Sequence, residues 1–178
     1  MLPEILDEFK KFIGVEGTDE DDTLLMFLEL SEAFIFEHYG VAITERTISE
    51  SLLPVHGSNK LYTSKGLISE VTALSSGGTD YLSDITLIKP VYVFVDAYLT
   101  DTVFVDIEYK VGWSVFDDIP KGLLSALFTI AKKEYNDARK DLDTLSSVTL
   151  DIKQGIRIID DIPPIAASML NSYRVFRL

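Results

Sequence analysis

The hydrophobic positions along the chain follow two different periods. Up to Tyr39, and again after Pro120, they recur every three to four residues, which is typical of amphipathic helices. Between Ile43 and Val111 they fall in short runs, some of them alternating with polar residues, that are separated by glycine, proline and serine. The pattern predicts an α+β fold, a small bundle of about four helices with an antiparallel β-hairpin or sheet lobe inserted between helices 2 and 3.

The helix signals place four helices along the chain. Helix 1 is expected at Pro3–Ile13, where the apolar residues form a one-sided stripe. Helix 2 is expected to open at the acidic run TDEDD, which begins at Thr18, and to end at Gly40. Because it is apolar on more than one face, we expect burial on two sides, inside the subunit or against a neighbour. Helix 3 follows Pro120, and a last helix opens at Pro163–Pro164.

The strand signals concentrate in the middle of the chain. Lys60–Thr63 and Leu67–Leu74 read as strands, and Thr79–Leu87 as a weaker one. The clearest pattern belongs to Val91–Leu99 and Val103–Val111, in which aliphatic and polar or aromatic residues alternate. We expect these last two strands to pair as a hairpin across the three residues between them.

The predicted hairpin holds the best candidate for chemistry. Its register sets Asp96 opposite Asp106, with Glu108 two residues further on, and three carboxylates on one sheet face can hold a hard cation. A solvated acidic face, or an aspartate that contacts a distant Lys or Arg, explains the same pattern. No nucleophile, general base, phosphate loop or further ligand cluster supports an enzyme that uses these acids. The sequence therefore predicts a non-enzyme with no catalytic residue, no metal site and no cofactor.

Composition narrows the classes of function. The chain has 178 residues, 47% of them hydrophobic, and a net charge of −13, from 29 acidic against 16 basic residues. Specific nucleic-acid binding relies on Lys and Arg, so this charge argues against it. No apolar run reaches the roughly 18 residues that cross a bilayer, so no membrane contact is expected. Without cysteine there is no disulfide or thiolate site.

The end of the chain contains the candidate partner-binding residues. The sequence YRVFRL brings two aromatic rings and two guanidinium groups together, and Tyr and Arg are favoured anchors in interfaces. The predicted partner-binding residues are Tyr173, Arg174, Phe176 and Arg177. Docking of the same segment onto the chain's own core is the alternative. We treat residues 1–178 as one domain, in which 1–43 and 112–178 form a helical part with the C-terminal anchor and 44–111 a β lobe.

The order of these elements resembles the head–tail connector proteins of tailed bacteriophages, the adaptor or head-completion family. The chain shows that family's strand end in VFVDIEYKVGW, an Ile-Pro helix start, a Tyr…Arg helix end and a late Pro…Leu…Tyr-Arg. It departs from the smaller members in its long β region, residues 44–87. The positions that carry the resemblance are Ile107, Tyr109, Gly112, Trp113, Ile119, Pro120, Tyr135, Arg139, Pro163, Leu170, Tyr173 and Arg174.

The resemblance implies a structural protein of the virion neck, at the head–tail interface, that resides in the host cytoplasm during assembly. It implies a ring of twelve copies docked beneath the portal protein, which extends the DNA channel and offers a platform to a stopper or tail-completion protein. DNA would pass through without specific binding, and an acidic lining would repel its phosphates. The alternative hypothesis is a stand-alone protein-binding module with a β lobe and an amphipathic C-terminal anchor.

Overall fold

The computed structural model describes residues 2–55, 59–97, 99, 103–144 and 162–174. The chain divides into two compact units. The helical unit combines Met1–Tyr39 with Val115–Tyr173, and the β unit contains Gly40–Ser114. The helices are α1 (Pro3–Ile13), α2 (Asp21–Tyr39), α3 (Lys121–Thr144) and α4 (Pro164–Asn171). The strands are β1 (Arg46–Leu52), β2 (Lys60–Tyr62), β3 (Ile68–Ser76), β4 (Thr79–Asp80), β5 (Ile85–Lys89), β6 (Tyr92–Val95) and β7 (Val105–Val111).

The predicted fold class is confirmed. Among the described residues there are four helices and two antiparallel sheets, and both sheets lie between α2 and α3 in sequence. The order of strands is β1-β7-β3-β4 in one sheet and β2-β6-β5 in the other. No helix of the described part of the chain combines the length and apolar character needed to cross a membrane.

The first helix has the bounds that its apolar stripe predicts. Proline begins α1, and Gly14 ends it with a φ of +77°, a conformation that glycine adopts without steric cost. On its inner side α1 buries Ile5 and Phe9 completely. The rings of Phe9 and Phe12 lie 5.5 and 5.7 Å from the ring of Phe128 on α3, which joins the two helices through aromatic contacts.

The second helix is longer and less one-sided. It begins at Asp21, a few residues after the expected start, and ends before Gly40, whose φ is +72°. Of the residues that make α2 apolar on a further face, Phe27 is buried, whereas Met26 and Leu30 are 39% and 44% exposed. The side chains of α2 that the chain buries are Leu24, Phe27, Leu28, Ser31, Glu32, Phe34, Ile35 and Tyr39.

The predicted hairpin between the two clearest strands is wrong. The strand β6 is shorter than expected and pairs with β2 and β5, whereas β7 pairs with β1 and β3 in the other sheet. Asp106 therefore lies opposite Ser51 and Ser75 and not opposite Asp96. The alternation of residues specifies which face of a strand is buried, but it leaves the partner strand open.

The central position of β7 explains its regular pattern. With a partner strand on each side, β7 buries one face, formed by Val105, Ile107, Tyr109 and Val111, and leaves the other face largely polar. The weaker predicted strand over Thr79–Leu87 is not continuous. It consists of the two-residue β4, a 3₁₀ turn and the start of β5.

Candidate functional site

Two of the four predicted partner-binding residues can be placed in the structure. Tyr173 and Arg174 follow α4, whereas Phe176 and Arg177 lie outside the described residues. The amide of Tyr173 donates to the carbonyl of Leu170 at 3.0 Å and so closes the last turn. Tyr173 is half-buried and Arg174 is exposed. Their assignment to a partner stays a prediction.

Tyr173 packs against the first turn of α3. A Cβ added to Gly122 would lie 3.3 Å from the hydroxyl oxygen of Tyr173 and 3.7 Å from its Cε2. The tyrosine ring therefore lies close to the helix backbone at Gly122, where an added Cβ would be tight against the hydroxyl and in ordinary contact with the ring. This contact fixes the end of α4 on α3.

Tyr135, another of the positions that carry the resemblance to the connector family, joins α3 to the segment just before α2. The hydroxyl of Tyr135 donates to the carboxylate of Glu20, and Nη1 of Arg139 donates to the same hydroxyl at 2.7 Å. The guanidinium carbon of Arg139 lies 5.4 Å from the Tyr135 ring centroid, and Phe27 meets that ring edge-on at 6.2 Å. Burial, followed by the bond to Glu20, raises the pKa of Tyr135. The Tyr…Arg pair of the motif thus stabilises the packing of two helices.

The β unit contains an equivalent contact at Tyr109. This side chain is fully buried, and its hydroxyl donates to Oε1 of Glu50 at 2.7 Å. The amide of Ser64 donates to the same carboxylate oxygen at 3.0 Å, and the amide of Lys65 lies 3.4 Å from the Tyr109 hydroxyl. Burial raises the pKa of Tyr109 well above its usual range, and the Glu50 carboxylate adds to the effect. The contact ties β1 and β7 to the turn after β2.

The glycine after β7 allows two chain segments to cross. Gly112 has a φ of +85°, and a Cβ there would lie 2.4 Å from the carbonyl oxygen of Thr44. Next to it, the amide of Trp113 donates to the carbonyl of Ile43 at 3.3 Å, and the amide of Glu45 donates to the carbonyl of Trp113 at 3.0 Å. Only glycine fits this crossing, which gives the Gly-Trp pair of the motif a structural role.

The two acids of β7 lie on the polar face of the four-stranded sheet. Glu108 accepts hydrogen bonds from the hydroxyls of Thr72 at 2.7 Å and Ser49 at 3.4 Å. Asp106 accepts one from the hydroxyl of Ser51. The two acids border a groove of about 330 Å³ together with Ser49 and Ser51. Both carboxylates are therefore bonded to hydroxyl groups on the strands that flank β7.

Asp96, the third acid of the proposed cation site, lies beyond the end of β6 in the other sheet. The strand pairing that was to bring Asp96 to Asp106 does not form. Within residues 2–55, 59–97, 99, 103–140 and 162–174, no three His, Cys, Asp or Glu side chains are grouped so that they can hold a metal ion. The three-carboxylate cluster that the sequence offered as a site is not formed.

Comparison with solved structures identifies the fold. No family model matches the chain, and none of the curated proteins matches it. A chain from the neck of an empty gene transfer agent (GTA) particle, computed with C6 symmetry, aligns with a TM-score of 0.67 and 17% identity. The alignment covers 99% of this chain and 91% of that chain. This chain has the fold of a GTA neck protein.

Two further matches agree with the first. A chain from the neck of a native GTA particle, computed with C12 symmetry, has a TM-score of 0.64 and 16% identity over 97% of this chain and 89% of that one. A chain from the virion of a native GTA particle has a TM-score of 0.68 and 19% identity over 99% and 91%. A GTA is a phage-like particle, so the resemblance to phage head–tail connectors is confirmed at the level of the fold.

The sequence pointed to the motif tyrosines but not to their partners. Nothing in the pattern around Glu20 or Glu50 marks them as acceptors for a tyrosine, because each partner lies on an element distant in sequence. The sequence analysis assigned no role to the aromatic residues of β2 and β6. The alternation of residues along β6 does indicate that Tyr92 and Phe94 lie on the same face of the strand.

Proposed function

We propose that this protein is a structural component of the neck of a phage-like particle, where it forms a ring under the portal. The observation that supports the proposal is the fold match with chains from GTA necks, which extends over 97–99% of this chain. In this role the ring extends the DNA channel and binds the next connector, a stopper or a tail-completion protein. The ring has twelve copies, in accordance with the C12 symmetry used for one of the matched necks.

The contacts of the motif residues fit a scaffold role. Tyr135, Tyr109 and Gly112 each join segments of one unit that are distant in sequence. The two tyrosines do so through hydrogen bonds of their hydroxyls, and Gly112 through the close approach of its backbone to Thr44. A ring subunit needs a rigid body of this kind, with its remaining apolar residues available to neighbours. On α2, Met26 and Leu30 are two such residues.

The C-terminal anchor is the part that we assign to the portal. Arg174 is exposed directly after the packed Tyr173, and Phe176 and Arg177 follow in sequence. DNA passes through the ring without specific binding, in accordance with the net charge of −13. The virion is the final location, and assembly takes place in the host cytoplasm.

Mixing the purified protein with the portal ring of its own particle tests the proposal. Mass photometry is expected to show a discrete complex of one portal ring with about twelve copies, and cryo-EM to show these copies as a ring against one end of the portal. Arg174→Glu/Arg177→Glu is expected to weaken this complex at least tenfold. Lys11→Glu/Lys121→Glu, the same charge change at exposed lysines of the helical unit, is the matched control.

The outcomes also decide between this role and a stand-alone binding module. A protein that never associates with the portal ring, at concentrations where folded monomer is confirmed by circular dichroism, would contradict the neck assignment. A single copy bound per portal ring would contradict ring formation while leaving a portal-binding module in place.

A further inference from the structure

The four-stranded sheet has at one side an edge strand that lacks the usual protection against further pairing. Among the described residues β1 pairs with β7 alone, in an unbroken register from Arg46 to Leu52. The residues from Thr47 to Leu52 include no lysine, proline or glycine. Within the described part of the chain, no backbone hydrogen bond outside the pairing with β7 involves them. The outer edge of β1 therefore presents backbone donors and acceptors that the described chain leaves unused.

The other sheet edges differ from β1. The strand β4 has two residues, and β2 has three, the first of which is a lysine. The strand β5 has an irregular register between Ile85 and Leu87 and ends on Lys89. Short strands, bulges and lysines are the features by which proteins keep sheet edges from pairing with other chains. Since β1 has none of them, its edge is the one of the four that is suited to receive an added strand.

Two acids lie one strand inside this edge, on the polar face of the sheet. The register sets Glu108 of β7 opposite Ser49 of β1, and it sets Asp106 opposite Ser51. Each serine hydroxyl donates a hydrogen bond to the carboxylate opposite it. Both serines are exposed. Because a serine side chain is short, the two carboxylates can be reached from the edge of the sheet.

The cations of the described residues leave these two acids uncompensated. Lys110, on the same face of β7, is paired with Glu70 on β3 at 2.9 Å. No described residue forms an ion pair with Asp106 or Glu108. Asp80 of β4 adds a further carboxylate to the same face. The excess of negative charge is therefore a property of this face, next to the open edge.

The two sides of an added strand would meet different surroundings. Ile48 and Leu52, which alternate with the serines of β1, are half-buried on the inner face of the sheet. Between them, Glu50 is already bonded to Tyr109. Successive side chains of a strand point to opposite faces, so every second residue of an added strand would lie beside Ile48 and Leu52. Apolar residues fit these positions.

The spacing of strands decides which residues fit the polar side. An added strand lies two strand spacings from β7, which is about 10 Å. The long stems of Lys and Arg can cross a serine and bring their charge to Asp106 or Glu108. A groove of about 330 Å³, bordered by Ser49 and Ser51, leaves room for these stems. The two acids are themselves two positions apart, which matches basic residues at alternate positions.

We propose that the outer edge of β1 binds an extended segment of another protein, in which Lys or Arg alternates with apolar residues. Backbone pairing with β1 provides the affinity, and the two carboxylates select the basic side chains. A second copy does not supply this segment, because no two of the 16 Lys and Arg residues of the chain lie two positions apart. The inference goes beyond the proposed function and does not depend on ring formation under the portal.

A synthetic peptide in which valine alternates with lysine, labelled with fluorescein, is the probe for the first test. Fluorescence anisotropy with the full chain is expected to show saturable binding that weakens as salt is added. A peptide of the same composition with its lysines grouped at one end is expected to bind at least fivefold more weakly, because grouped lysines point to both faces of a strand.

Removal of the two charges tests the choice of partner. The variant Asp106→Asn/Glu108→Gln keeps an acceptor for each serine hydroxyl and is expected to bind the alternating peptide at least tenfold more weakly. Asp117→Asn/Asp118→Asn makes the same change in net charge at two exposed acids of the helical unit and is expected to bind like the wild type. Circular dichroism confirms that both variants are folded.

Methylation of peptide amides tests backbone pairing without altering the protein. One alternating peptide is N-methylated at its lysine residues and the other at its valine residues. In a strand these two sets of amides point to opposite edges, so one set faces β1 and the other faces solvent. One methylated peptide is expected to lose binding at least tenfold, and the other is expected to retain it.

Each contrary outcome overturns the proposal in a different way. If neither methylated peptide loses binding, no strand is added to β1. If Asp106→Asn/Glu108→Gln binds the alternating peptide like the wild type, the acids do not select the partner. If the protein dimerises in sedimentation velocity and the alternating peptide dissociates the dimer, the edge belongs to a second copy. All three results leave the binding of the protein to a portal ring, which is measured separately, as it stands.

Discussion

The helical unit and the β unit each contain a tyrosine that donates to a glutamate far away in sequence, but the surroundings of the two contacts differ. In the helical unit, Tyr135 bonds to Glu20 and also accepts from Arg139, which is itself exposed. In the β unit, Tyr109 is fully buried, and its contact with Glu50 is completed by backbone amides of the turn after β2.

This difference indicates how each unit tolerates change. The helices are amphipathic on their own, and although Tyr135 is only 4% exposed, its hydroxyl is also bonded to Arg139, an exposed side chain that can reach water. In the β unit, the hydroxyl of Tyr109 is buried away from water, and Gly112 occupies a backbone crossing that leaves no room for a side chain. We therefore expect the β unit to be the more sensitive of the two to single substitutions.

The largest effect is expected for Gly112→Ala. The new Cβ would lie 2.4 Å from the carbonyl oxygen of Thr44, at a φ of +85°, so the backbone itself has to move. We expect a loss of about 3 kcal/mol or more in the free energy of unfolding, measured by urea denaturation. Gly78→Ala is the matched control, because Gly78 has a φ of +82° with open space around it. A control that costs as much as Gly112→Ala would show that the crossing is not the cause.

Removal of the two tyrosine hydroxyls compares the units directly. Tyr109→Phe leaves the Glu50 carboxylate without its buried donor, and we expect it to cost about 1–3 kcal/mol of unfolding free energy. Tyr135→Phe is expected to cost about 0.5–1.5 kcal/mol, because Arg139 and Glu20 can then bond to each other or to water. Chemical denaturation of both variants checks the order. Equal costs, or a larger cost for Tyr135→Phe, would contradict the proposed difference between the units.

The pH dependence of stability sharpens the same comparison. The pKa of Tyr109 is raised in the folded protein, so its contribution is fully present below the unfolded tyrosine pKa of about 10. That contribution is lost as the pH rises further towards the folded-state pKa, because the unfolded chain ionises first. We expect the free energy of unfolding to fall between about pH 9.5 and 11 more steeply for the wild type than for Tyr109→Phe. Parallel curves for the two proteins would remove this explanation.

The smallest effect is expected at the contact between α3 and α4. Gly122→Ala improves helix propensity by up to about 1 kcal/mol, but the new methyl group crowds the hydroxyl of Tyr173. In the wild type we expect these effects nearly to cancel. In a Tyr173→Ala background the propensity gain is expected in full, so a double-mutant cycle is expected to give a coupling of about 0.5–1 kcal/mol. A coupling near zero would mean that the tyrosine does not contact Gly122 in solution.

The sequence allowed the helices to be predicted well because their signals are local. The stripe of α1, its first proline and the glycine after it specify both ends, and the predicted bounds agree with the structure. For β7 the alternation likewise predicts the buried face at Ile107, Tyr109 and Val111.

The pattern of hydrophobic and polar residues does not determine which strands pair with each other. Nothing local distinguishes β1 from β6 as the neighbour of β7, and the choice depends on contacts between segments about sixty residues apart. The same limit applies to the acids. Asp96 and Asp106 look alike in sequence, and only the assignment of their strands to two different sheets separates them.

The central place of β7 also sets the order in which the chain can fold as it is synthesised. Both β1 and β3 pair with β7, the last strand in sequence among the described residues, so neither can complete its pairing before residue 111 has emerged from the ribosome. Until then, both present unpaired edges that can pair with other chains. The packing of α1 and α2 against α3 is delayed further, because α3 follows residues 40–114 of the β unit in sequence. The four-stranded sheet and the packing of α1 and α2 with α3 therefore form only after these later segments have been synthesised.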